Sequence, residues 1–405
     1  MIKCRACSSK IIPFFSLGQM PLANSFLQKK EIKLEKKYDL TVAFCPGCFL
    51  VQLTEIVPPE QLFSNYVYFS STSKTILEHN KKTATYLTKK LKLNKNSLVL
   101  EIASNDGALL QYFKKSSRIL GIDPAQNIAR LANSRGIPTI AEFFNYSFAK
   151  QFVADTGYQA DLVYGANVLA HVPSIVDFVK GVKTILKPHA TAVFEFPYLR
   201  GLLENKFDII YHEHVFYYGI LALNNLFKKA NLKIYDVEII PMQGGSLRIF
   251  VSHPEVFQKT KNLINLINSE KQNRYDELVT YQKMNKRVED LKKQLLILLS
   301  KIKKQGKIIA AYSAPAKGNI LLNYFGIDKN YFKFIVDKAK EKQGLYTPGT
   351  NLLVYSLEKI DEEKPDYLLI LCWNIYKEII AMKELERFKK RGGKFIIPVP
   401  KLKII

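Results

Sequence analysis

The stretch LKLNKNSLVLEIASNDGALLQYFKK (residues 91–115) decides the fold. Its apolar run at 98–102 shows no polar alternation, which predicts a strand buried on both faces of a parallel sheet. A turn of small and polar residues follows, where Gly107 can adopt a positive φ. Leu109, Leu110 and Phe113 then recur at helical spacing. A strand feeding a helix through a tight turn opens a doubly wound sheet, whose ligands sit at the carboxyl ends of the strands.

The same alternation continues outward from this unit. RILGID ends a second strand at Asp123; IARLAN reads as helix, ADLVYGANVLAHV as strand, DFVKGVKTIL as helix and TAVFEFP as strand. Strands alternating with helices predict a parallel sheet covered on both sides. Residues 257 to about 304 read as long helical material rich in Leu, Ile and Lys, closed by Gly306 as a C-cap. A second alternation follows in KIIAAYSAPAKGN, YFKFIVDK, DYLLILCWN, a helix at 376–390, and GGKFIIPVP.

Upstream lie Cys4-x2-Cys7 and Cys45-x2-Cys48, and then a tyrosine-rich connector, LFSNYVYFSSTSKT (62–75). Two such knuckles favour one zinc ion over disulfides, since each short turn presents two thiolates to a tetrahedral centre. Four thiolates close the coordination sphere, so the metal is expected to be structural. Cys372, inside DYLLILCWN, is expected to be a buried strand residue. The expected layout of this α/β chain is a zinc-binding domain (1–75), a Rossmann-like domain (76–256), a helical connector (257–306) and a smaller Rossmann-like α/β domain (307–405).

Composition places the 405 residues among soluble globular chains, with 47% hydrophobic and 24% charged residues. The net charge of +24 is spread through segments such as KKEIKLEKK and KKLKLNK, with no RNP-type aromatic motif or Arg-rich recognition helix. Solvated lysine faces explain it better than a nucleic-acid partner. The N-terminus, MIKCRACSSK, lacks the apolar core of a secretory signal, and no apolar run approaches the roughly 18 residues a membrane span needs. A cytoplasmic, monomeric protein is expected.

Three places carry chemistry. The first is EIASNDG, Glu101 to Gly107, with Asp123 ending the next strand and Asn167 and His171 after the one following. It is not a G-x-G-x-x-G loop. Ser104, Asn105 and Asp106 stand where a pyrophosphate needs bare glycines, so the acidic turn suits a cationic, zwitterionic cofactor: S-adenosylmethionine rather than NAD. His171 reads equally as a catalytic group or as a helix-start histidine bonded to backbone.

The second is FDIIYHEHVFYY (207–218). If 210–214 is extended, Tyr211 and Glu213 share one face, and His212 and His214 the other. The H-x-H pair lacks a third ligand at any recognisable spacing, so proton transfer is favoured over a metal. Imidazole flanked by carboxylate and phenols suits removal of a proton beside a carbonyl, with tyrosine bonding the oxyanion. The third is YSAPAKGN (312–319), whose amides and Lys317 are placed to receive a diphosphate, with KEKQGLYTPGT (340–350) on the same sheet edge. GGSLR adds Arg248 behind two glycines as a further anion site.

The ordered set CRAC, LGQMPLANSF, CPGCFLVQL, YVYFSSTS, EIASNDGALL, NVLAHV, FDIIYHEHVFYY, GGSLR, APAKGNILLN, QGLYTPGT and CWN resembles the bacterial nucleotide-sugar C-methyltransferases over essentially the whole chain. The resemblance implies a zinc-binding domain, a class I methyltransferase domain binding S-adenosylmethionine, and a C-terminal domain that helps hold a nucleoside-diphosphate-linked 4-keto-deoxysugar, methylated at C3. It implies His214 as the base, Glu213 and Tyr211 as assisting groups, and Tyr66 and Tyr68 of YVYFSS in the active site. Lys317, Gly318 and Asn319, with Arg248, are the expected substrate contacts. Ser313, where the family commonly has glycine, and Gln243, where it often has histidine, depart from the pattern. The alternatives are a small-molecule O- or N-methyltransferase, which needs no carbon base, and a zinc-ribbon nucleic-acid binder.

Overall fold

The computed structural model describes residues 2–63 and 69–405 and is organised by three sheets. The central sheet holds β1 (Leu98–Ile102), β2 (Arg118–Ile122), β3 (Thr139–Ile140), β4 (Ala160–Ala166), β5 (Leu186–Pro197), β6 (Lys233–Ile240) and β7 (Ser246–Ser252) in the order β6-β7-β5-β4-β1-β2-β3. Every residue of β1 is buried, as its unbroken apolar run requires, and Leu100 lies in register between Leu120 and Val163. The five strands β1 to β5 are parallel; β7 runs antiparallel to both β5 and β6, a hairpin that alternation alone did not disclose.

Two expected helices are shorter than their patterns. After β1 the chain makes only a 3-10 turn at Leu110–Tyr112, although Leu109, Leu110 and Phe113 are all buried. The following KKSS offers nothing apolar to hold a longer helix against the sheet. The segment 376–390 is likewise broken into Tyr376–Ile380, a turn at Lys383–Leu385, and Glu386–Lys390. Ile379 and Leu385 fall on different faces of a continuous helix, and the break buries both.

The N-terminal sheet pairs Ile12–Pro21 with Lys37–Phe44 and then Val51–Leu53. Its fourth strand is Phe216–Tyr217, which begins two residues after His214: Val51 pairs with Tyr217 and Gln52 with Phe216. The long helix Leu278–Lys304 closes this sheet, with Tyr281 against Phe14 and Phe44 at ring distances of 5.2 and 4.9 Å. The C-terminal sheet runs Val354–Tyr355, Ile335–Val336, Ile309–Tyr312, Tyr367–Ile370, Lys394–Ile397 and Lys403–Ile404, parallel except for the last strand. Among the described residues no helix is long and apolar enough to cross a membrane.

Candidate functional site

At the carboxyl ends of β1, β2 and β4 a pocket opens whose wall includes Asn105, Asp123, Glu142, Asn167 and His171, with Ile102, Ile122, Phe144 and Phe178 as its apolar side. The turn after β1 holds Ala103 at φ +56° and Asn105 at φ +49°, strained values for non-glycine residues that cluster at ligand sites. Gly107 has φ +76°, and a side chain there would strike Ile137. Asp123 is spoken for on both oxygens, accepting from the amides of Asn105 at 2.9 Å and Ala125 at 3.0 Å; it shapes the turn as well as lining the pocket. Glu101, Ser104, Asp106 and Gly107 stand behind the wall. The Asp106 carboxylate bonds Ser71 and, at 2.9 Å, Arg135, while Ser104 lies under Gly121 of β2.

Among the described residues no lysine or arginine lines this pocket, whereas two carboxylates do. A pyrophosphate would meet uncompensated negative charge there; a sulfonium with an ammonium group meets the opposite sign. The residues therefore fit S-adenosylmethionine.

The second constellation adjoins the first. Residues 210–214 are not extended: after a 3-10 turn at Phe207–Ile209 the chain reverses, with the His214 amide donating to the Tyr211 carbonyl at 2.8 Å. This correction changes the facing. Strand alternation would separate Tyr211 from His214, but the turn stacks their rings 4.0 Å apart, with Tyr211 Oη 2.8 Å from His214 Nε2. His214 Nδ1 lies 2.8 Å from the Ile209 carbonyl. A carbonyl only accepts, so Nδ1 carries the proton and Nε2 presents its lone pair. Burial first, and the neighbouring His171 next, hold His214 well below the ordinary histidine range, so it is neutral. His171 packs edge-on against it at 5.1 Å, bonds the Glu213 carbonyl at 2.6 Å, and is pushed down to about 4 by burial. It thus stands on the pocket wall and against His214, the backbone bond included.

Glu213 is buried, which raises its carboxyl to about 7, and Asn24 Nδ2 donates to it at 2.7 Å, partly countering the rise. Because the folded value exceeds the ordinary one, this group's stabilisation is complete below pH 4.5 and is lost as pH rises through 7. Glu213→Gln is expected to melt above the parent at pH 8, by up to about 3 kcal/mol, and equally at pH 4. Thermal unfolding across that range checks it, and a pH-independent difference would contradict the assignment.

Sequence reasoning did not find Asn24. It lies in the N-terminal LANSF segment, and the neighbouring Ala23 carbonyl accepts from Asn319 Nδ2 at 2.8 Å, so this segment ties Glu213 to the helix Ala316–Phe325. Nothing local marks this, because the contact spans most of the chain. Tyr66 and Tyr68 lie outside the described residues.

Three expected substrate contacts are otherwise engaged. Arg248 donates to Glu195 at 2.7 Å, Glu238 at 2.9 Å and Thr83 at 2.8 Å, and His79 holds the other Glu195 oxygen at 2.7 Å. The glycines lead straight into β7, whose pleat turns Arg248 inward, in register with Glu195 on one side and Glu238 on the other. This is a buried network tying helix Lys74–Lys90 to the sheet, not an anion site. Gly318 is packed against Leu371, where a side chain would clash, and Asn319 is buried on the Ala23 carbonyl. Lys317 remains partly exposed. The Ala314 amide, expected to meet phosphate, donates to Asp337 at 2.7 Å. Ser313 takes φ +68°, a conformation that explains glycine at this place, and its hydroxyl also bonds Asp337.

At the N-terminus the sulfur atoms of Cys4, Cys7, Cys45 and Cys48 all lie within 4.8 Å of one another, and Gln52 Nε2 donates to Cys4 at 3.1 Å. The Cys4 thiolate, bonded by Cys48, in turn pushes Cys48 up; only a central cation lets four such thiols ionise together.

A seven-stranded sheet, an acid-lined pocket at its topological edge and a four-thiolate centre define an S-adenosylmethionine-dependent methyltransferase with a zinc-binding domain. Residues 4–63 match a family model for a zinc binding domain, 76–237 a methyltransferase domain, and 241–400 the C-methyltransferase C-terminal domain. The chain is 33% identical over 408 residues to the C-methyltransferase NovU of Streptomyces niveus, spanning 100% of this chain and 96% of that one. It belongs to this C-methyltransferase family. Among solved structures, the magnesium protoporphyrin IX methyltransferase of Synechocystis with S-adenosylmethionine bound is 11% identical, covering 47% of this chain and 86% of its own at a TM-score of 0.34. An S-adenosylmethionine-dependent methyltransferase of Clostridium acetobutylicum is 10% identical, covering 44% and 92% at 0.35.

Proposed function

We propose that this C-methyltransferase acts on a nucleoside-diphosphate-linked 4-keto-deoxysugar, at the carbon beside the ketone, C3, in deoxysugar biosynthesis. The observation that carries the reading is His214: a neutral imidazole with its tautomer set by the Ile209 carbonyl, against a phenol at Nε2 and against His171 of the cofactor pocket. Carbon needs a base where oxygen or nitrogen does not, because a C–H beside a ketone gives up its proton only as the enolate is stabilised.

In this reading His214 Nε2 takes the α-proton, displacing the Tyr211 hydroxyl, which is then available to donate to the enolate oxygen. Glu213, held by Asn24, orients the turn. S-adenosylmethionine supplies the electrophilic methyl group. The segment 307–405 carries the nucleotide, and the charge of Lys317 faces the sugar side.

Incubating the pure protein with methyl-labelled S-adenosylmethionine and a set of keto-sugar nucleotides tests the proposal. The expected product carries label on the carbon next to the ketone. Label on a ring or hydroxyl oxygen, or turnover only with ketones that bear no nucleotide, would overturn it.

A further inference from the structure

Helix Ala316–Phe325 packs against the Phe207–Ile209 turn, where Phe207 stacks on Phe325, the last residue of the helix, at 5.1 Å. Two groups of opposite charge lie at this junction, and among the described residues neither is fully satisfied. Asp208 is fully buried; its Oδ2 accepts from Trp373 Nε1 at 2.5 Å, while Oδ1 has no hydrogen-bond partner among the described residues. The Lys317 ammonium sits 5.4 Å from the centre of the Trp373 ring and, among the described residues, makes no hydrogen bond and no ion pair within 4.0 Å.

A buried carboxylate oxygen without a donor is costly, and so is a half-buried ammonium without an acceptor. The two are near enough for each charge to act on the other: burial raises Asp208 to about 6 against the pull of Lys317, and burial lowers Lys317 against the pull of Asp208. They are too far apart to bond directly. One group that both accepts from N–H and donates to oxygen would satisfy both, and among sugar substituents that group is a hydroxyl.

We propose that Asp208 Oδ1 and Lys317 Nζ together form a subsite that recognises one hydroxyl of the sugar, with its O–H donated to Asp208 and its oxygen accepting from Lys317. This deepens, and rests on, the reading of the substrate as a keto sugar. It reassigns Lys317 from the diphosphate to the sugar, since a diphosphate has only acceptors to set against the Asp208 oxygen. Asp208 lies on the same turn that positions Tyr211 and His214, so the hydroxyl it selects also registers the ketone against the base. The pair is a specificity determinant. A site with buried polar groups made for a hydroxyl rejects the analogue that lacks it, because those groups are then left unpaired.

Two variants test this. Asp208→Asn keeps an acceptor for Trp373 but replaces the free oxygen by an amide nitrogen; Lys317→Met keeps length and removes charge. Each is expected to lower kcat/KM on the keto-sugar nucleotide about ten- to a hundredfold. The losses are expected to be non-additive in the double variant. Calorimetric affinity for thymidine or uridine diphosphate alone, and the melting temperature, should stay within twofold and a few degrees of the parent. On the analogue missing the recognised hydroxyl, the parent should fall by the same factor and the variants no further.

Weakened binding of the diphosphate alone by Lys317→Met would overturn the proposal in favour of a phosphate contact. Variants that still separate hydroxylated from deoxy substrates as the parent does would overturn it in favour of a bridging water. If the parent methylates only a ketone without nucleotide or sugar, the keto-sugar reading fails, and the same variants on hydroxylated and deoxy forms of that ketone decide the subsite.

Discussion

His214→Asn is expected to lower turnover about 10²- to 10⁴-fold, the usual worth of a positioned general base, while leaving the affinity for S-adenosylmethionine unchanged. The separation follows from placement: His171 is part of the pocket wall, and His214 stands behind it on the Tyr211–His214 reversal. Hydrogen exchange at the substrate α-carbon, measured without methyl donor, should fall in parallel, because proton removal precedes carbon–carbon bond formation. Asparagine can still donate to the Ile209 carbonyl, so the turn keeps one of its ties. The depressed basicity of the buried imidazole has a further consequence: no activity limb belonging to this histidine is expected near pH 6.5. In the proposed reaction the buried imidazolium is costly until a negative enolate forms beside it, which would couple proton transfer to oxyanion stabilisation. Undiminished exchange in His214→Asn would move the base to Glu213 or His171.

Removing zinc, by chelation or by Cys45→Ser, is expected to cost stability and activity together. Structural zinc contributes roughly 10–16 kcal/mol in small finger peptides, where the metal is the fold. The effect here is expected to be smaller, since Phe14, Phe44 and Tyr281 give the N-terminal sheet a core of its own. Activity is expected to fall because the metal knuckle runs directly into the strand that pairs beside His214. The Cys45–Cys48 turn is closed by Phe49 donating to the Cys45 carbonyl and Cys45 donating to that of Leu50; the next strand, Val51–Leu53, then pairs with Phe216–Tyr217, two residues beyond His214. Leu53 also donates to the Val215 carbonyl at 2.9 Å. Zinc content, melting temperature and turnover measured on one preparation check the coupling. Full activity at substoichiometric zinc would contradict it, as would a lost affinity for S-adenosylmethionine, since the cofactor pocket draws on the central sheet.

Legibility in the sequence followed the range of the interactions. The β1 turn, the metal knuckles and the neighbourhood of Asn105, Asp123, Asn167 and His171 all rest on short spacing and on strand ends sharing one sheet edge, and their residues lie together as that logic expects. The reading of HEH as extended missed the reversal, because a turn without glycine or proline has no local mark. Arg248 misled for a related reason. Two glycines before an arginine describe an anion loop and a strand start equally well, and only register with Glu195 and Glu238 separates them.

Periodicity, turn chemistry and cysteine spacing are properties of neighbouring residues, so the sequence by itself determined the two alternating α/β units, the metal set and the strand-edge position of the cofactor turn. The tertiary structure alone decided which charges are consumed and which are left over: Arg248 is neutralised within the sheet, Asp208 has one oxygen without a hydrogen-bond partner among the described residues, and Asn24 reaches Glu213 from the zinc-binding end. A buried polar group is settled by whatever partner folding brings within about 3 Å. Those partners lie tens to hundreds of residues away, beyond the reach of any local pattern.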